Sequence, residues 1–77
     1  MAFTIDIRVD EVAAEQLEQL SADMQNDSFK PVRKDTFTNF MSFNYRGNLP
    51  ITEIVKRVAT VLAGSGNQYS FTVRKTN

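Results

Sequence analysis

From Phe3 to Val9 the chain alternates without a break: Phe3, Ile5, Ile7 and Val9 are apolar, while Thr4, Asp6 and Arg8 are polar. Successive side chains of a strand point to opposite faces, so the pattern predicts a strand with one face buried and the other in water. A half-buried strand needs neighbours on its edges and an apolar layer against one face only, which restricts the remaining elements sharply.

Those elements follow in order. Asp10 reads as a helix N-cap, and Ala13, Leu17, Leu20 and Met24 recur at helical spacing, predicting a first helix that ends near Gln25, ahead of the turn-like "NDS". Pro50 suits a first helical turn, and Ile51, Ile54, Val55, Val58, Val61 and Leu62 form the apolar stripe of a second helix, with Gly64 and Gly66 as its stop. "YSFTVRK" alternates again, Tyr69, Phe71 and Val73 inward and Ser70, Thr72 and Arg74 outward. Between the helices "NFMSFNYR" predicts a strand. A second strand over about residues 29–34 is only weakly signalled, because Pro31 confines it to a sheet edge and no Asn-Gly or Asp-Gly marks a turn near Asp35.

The order β-α-β-β-α-β, joined by right-handed crossovers, predicts an α+β ferredoxin-like sandwich: a four-stranded antiparallel sheet of order 4-1-3-2 with two helices on one face. The 77 residues form one domain, 1–77, without repeat or linker.

The stretch "TFTNFMSFNYRG" tests this fold against a base-stacking platform. Both helices have a single apolar stripe, so both lie on the side of the sheet that carries the odd-numbered residues. In the third strand that set is Met41, Phe43 and Tyr45, with Phe37 in phase if the strand reaches back that far. The rings at 43 and 45 are therefore expected in the core, and only Phe40 is left on the open face. An RNA-recognition motif needs two or three aromatics there.

The chain has no cysteine and no histidine, so thiolate chemistry, disulfides and the commonest zinc ligands are missing, and no cofactor is expected. The amino terminus lacks a basic signal-peptide region and no run is long enough to span a membrane, which makes a cytoplasmic protein the expectation. Enzyme signatures are wanting. "AGSG" follows a helix instead of opening one, and neither a Gly-x-Gly-x-x-Gly, a Walker motif nor a nucleophile elbow occurs. The Cys-x-x-Cys of copper-chaperone domains is absent, as are the Gly-rich, Arg-bearing loop of acylphosphatases and the Pro-Gly that ACT domains place after the first strand. A lone Asp6 or Asp35 reads as a surface carboxylate.

Nine basic and nine acidic residues cancel, yet they are segregated: residues 10–27 hold six carboxylates and no Lys or Arg, and residues 28–77 hold eight cations against two carboxylates. Glu11, Glu15 and Glu18 form one stripe on the first helix, opposite its apolar face. Like charges at i,i+4 are mildly unfavourable, and no cation within the helix offsets them, so the stripe is a candidate for docking on a basic protein surface. The alternative site is a row of Lys30, Arg46 and Arg74 across the open sheet face, with Thr4 between the last two and Phe40 nearby, suited to nucleic acid or another anionic ligand. The leading expectation is a non-enzymatic protein–protein interaction module, a regulator or inhibitor that acts through its acidic helix, with a homodimer compatible with the open edges. Compact accessory proteins of phages and other mobile elements share this size and charge. A structural subunit of a larger assembly is a third possibility.

Overall fold

A computed structural model of the chain describes residues 2–10, 14–35, 37–64 and 68–76. Six elements follow in the order β1 (Ala2–Val9), α1 (Ala14–Asn26), β2 (Lys30–Asp35), β3 (Phe40–Arg46), α2 (Ile51–Gly64) and β4 (Tyr69–Thr76). The strands make one antiparallel sheet of order β2-β3-β1-β4, and the fold is the ferredoxin-like α+β sandwich. Pro31 stands on the edge strand β2, where its missing N–H costs the ladder nothing.

The odd-numbered face of β1 is buried against the helices. Phe3, Ile5 and Ile7 pair with Tyr45, Phe43 and Met41 of β3, and on the other side Ile5, Ile7 and Val9 pair with Val73, Phe71 and Tyr69 of β4. Leu17, Leu20 and Met24 of α1 and Ile54, Val58 and Leu62 of α2 close the core from above. Phe43 and Tyr45 are buried, as their phase in the strand requires, and each contributes about 1.5–3 kcal/mol by leaving water. Because β4 is an edge, its inward residues are less well covered: Phe71 and Val73 are half-buried and Tyr69 is exposed.

Phe37 departs from the expected phase. The strand begins at Phe40, and Phe37 lies in the preceding turn, 95% exposed, where its backbone N–H donates to Asp35 Oδ1 at 3.0 Å. The turn closes through Asn39, whose φ of 55° is one that Asn tolerates better than most residues, and whose carbonyl accepts from Val9 at 3.1 Å.

The exit of α1 explains how β2 is anchored. Ser28 N–H bonds to the Gln25 carbonyl and Phe29 N–H to the Met24 carbonyl, both at 3.1 Å, with Ser28 left-handed at φ 73°. This is a Schellman cap with serine in the position glycine usually takes, and its associated apolar contact joins Met24 to Phe29, both fully buried. Phe29, absent from the expected core, is thereby fixed beneath α1 at the start of β2. At the other helix the Pro50 carbonyl accepts from Glu53 and Ile54 and so opens α2, which ends at Gly64. The expected Asp10 cap bears on residues 11–13, and Ala13 and Gly66 likewise lie outside the described residues; Asp10 N–H donates to the Gln68 carbonyl at 2.9 Å. No described helix is long and apolar enough to cross a membrane.

Candidate interaction site

The open sheet face is assembled from the even-numbered residues of β1, β3 and β4, but β2 contributes differently. Pro31 pairs with Phe43 and Arg33 with Ser42, which leaves Val32 as the extra residue of a β-bulge. The bulge inverts the alternation after it. Lys30 and Arg33 share the open face, whereas Lys34, opposite Met41, turns to the helix side.

Two contacts confirm that geometry. The Lys34 ammonium bonds to the Glu18 carboxylate of α1, and the guanidinium carbon of Arg33 lies 5.7 Å from the centre of the Phe40 ring on the open face. Phe40 is thus the single ring on that face among the described residues of β1 and β3, half-buried beneath a cation.

The centre of the face is a satisfied polar network. Asp6 accepts from Ser42 Oγ at 2.9 Å and from Arg74 Nε at 3.0 Å; Thr4 donates to Asn44 Oδ1 at 3.2 Å, and its hydroxyl lies 2.9 Å from that of Thr76. Asp6 is a structural acceptor here, not a solitary surface carboxylate.

The expected row of Lys30, Arg46 and Arg74 is displaced by one step. Lys30, Asn44, Thr4 and Arg74 stand in register across the sheet, but Arg46 pairs with Ala2, so it occupies the next row. Arg74 is drawn back towards Asp6. Lys30 and Arg46 are diagonal neighbours, a relation that places such residues about 7–8 Å apart. They line one shallow groove of about 610 Å³ together with Asn44 and Val32. Among the described residues five cations therefore share the open face, Arg8, Lys30, Arg33, Arg46 and Arg74, against Asp6 and Asp35. No ion pair engages Arg8, Lys30, Arg33 or Arg46 among the described residues. Sequence reasoning missed Arg8 and Arg33; Arg8 was visible in the alternation of β1, while Arg33 depends on the bulge.

The acidic helix is partly neutralised from below. Glu15 is exposed, Glu18 is held by Lys34, and Glu11 lies outside the described residues. Asp27, after the helix, binds Arg57 of α2 at 3.0 Å, so that arginine is tied to the neighbouring helix exit. Among the described residues no three His, Cys, Asp or Glu side chains converge as a metal site would need. The chain matches no protein-family model, and no curated protein matches it.

Proposed function

We propose that this chain is a non-enzymatic interaction module and that its open sheet face holds single-stranded nucleic acid. The observation that supports this reading is the excess of cations on one flat face, five against two, increased by the bulge that adds Arg33. A backbone of closely spaced phosphates would lie along Arg46, Lys30 and Arg33, and a base would stack beside Phe40 and the Arg33 plane. The like charges of Lys30 and Arg46 repel in the unliganded protein and would be relieved by a phosphate between them.

Titration of labelled single-stranded RNA and DNA tests it. Three phosphate contacts would lower affinity roughly twenty-fold between 50 and 200 mM salt, from a slope of about −0.7 per contact. Lys30→Gln with Arg46→Gln should flatten that slope. Salt-insensitive or undetectable binding at the lower salt refutes the reading.

A second reading, a regulator or inhibitor that docks its acidic helix on a basic partner protein, draws support from the outer face of α1, which carries Glu15, Glu18 and Asp23 and has no basic residue in its last turn. Glu11→Gln, Glu15→Gln and Glu18→Gln together would then abolish partner capture while leaving nucleic-acid binding untouched.

A further inference from the structure

The sheet has two outer edges, and they are built differently. The β2 edge carries Pro31, a bulge at Val32 and the cations Lys30, Arg33 and Lys34, which are devices that discourage another strand from adding. The β4 edge has none of them over its first five residues. It runs in unbroken register with β1 from Tyr69 to Thr76, without proline or bulge, and Tyr69 to Val73 carry no charge.

The flank above this edge is also apolar. Arg57 of α2 reaches Asp27 at the exit of α1, so that side of α2 faces its sister helix. Val55 lies two residues earlier, about 200° around the helix, and hence on the side away from α1. Val55 is 39% exposed, Ile51 42% and Tyr69 37%. Phe71 and Val73 beside them are packed on the core yet only half-buried.

We propose that a second copy of this chain occupies the β4 edge, pairing β4 with β4 antiparallel about a two-fold axis normal to the sheet, with Thr72 on the axis. Such an axis keeps both helical layers on one side, so residues of the two strands oppose each other in same-face pairs. With Thr72 opposite Thr72, Phe71 meets Val73 twice, an aromatic against a β-branched residue, which is a favourable cross-strand pair. Arg74 meets Ser70, and Lys75 meets Tyr69, whose ring face accepts an ammonium. No like charges are opposed. Centring the axis on Val73 would leave Tyr69 outside the paired strands and set Lys75 against Phe71; centring it on Arg74 would set two guanidinium groups face to face. Centring it on Phe71 opposes no like charges either but pairs only Tyr69 to Val73, so the Thr72 register, which pairs Tyr69 to Lys75, is the longest at which the strand is complementary to itself, and that self-complementarity favours a second copy over a foreign strand.

The intact chain should sediment at twice its 8.7 kDa mass. The native sequence has no cysteine, so a single introduced thiol reports the register directly. Thr72→Cys should cross-link on mild oxidation, because directly opposed residues stand about 4.5–5.5 Å apart, within disulfide reach. Ser70→Cys should not, since the two positions would lie about 13 Å apart. Thr72→Lys, at an exposed position where the axis would set two ammonium groups face to face, should yield a folded monomer by circular dichroism and sedimentation. A monomer persisting at roughly 0.1 mM, a hundredfold above a micromolar Kd, overturns the proposal, as does an assembly larger than a dimer or a Ser70→Cys chain that cross-links as readily as Thr72→Cys.

Discussion

The rings of Phe29 and Tyr45 stand with centroids 5.8 Å apart and planes inclined at 50°, joining the exit of α1 to the middle strand β3. Phe29 also makes the apolar contact of the helix cap, so one side chain fixes both where α1 ends and where β2 begins. Phe29→Ala should cost about 3–5 kcal/mol, a large part of the total stability of a domain this small. Chemical denaturation should show a midpoint close to zero denaturant, with β2 the first element to lose amide protection.

Ser28→Gly is expected to act in the opposite direction. Serine at φ 73° bears the steric cost of a Cβ in the left-handed region, which glycine escapes. A gain of about 0.5–1 kcal/mol, read as a rise of roughly 3–6 °C in Tm, is expected.

Gly47→Ala should destabilise the protein through Tyr45. A Cβ at position 47 would come within 2.7 Å of the Tyr45 Cζ and closer still to its hydroxyl. The buried Tyr45 ring rests against Phe29 and has little room to yield. The expected loss is about 1–3 kcal/mol by thermal or urea unfolding. Adding Tyr45→Phe, which removes the nearest atom, should recover part of it.

A double-mutant cycle on Glu18 and Lys34 should return a coupling of about 0.2–1 kcal/mol that fades at high salt, since the Glu18 side chain is 64% exposed. A coupling near zero at low salt would show that this exposed pair adds nothing to stability.

Much of this architecture was legible in the residues. Strict alternation in β1 and β4, two single-stripe helices and one proline were enough for the element order, the edge position of β2 and the inward phase of Phe43 and Tyr45, because each states which face a side chain must take. Rows across the sheet were harder. Alternation assigns residues to faces, but relative sliding of strands is set by turn geometry and by packing between elements distant in sequence. That is why alternation alone puts Arg46 beside Thr4, when its neighbour is Ala2. The helix cap is not legible in the sequence because serine holds a position usually marked by glycine, and neither is the place of Phe37, because nothing in its neighbourhood announces that the strand starts only at Phe40. The bulge left no local signature at all. It reconciles the burial of Phe29 at one end of β2 with the Lys34–Glu18 contact near the other, and both depend on the tertiary structure.

Removing one residue from an ordinary strand throws every later side chain to the wrong face. At the β2 edge the reverse holds: Pro31 and Arg33 already oppose consecutive residues of β3, so a chain shortened by Val32 alone would recover strict pairing with Phe29 still indoors and Arg33 and Lys34 on their present sides. This is the point in the sheet where a one-codon loss in the gene should be silent for the arrangement of charge.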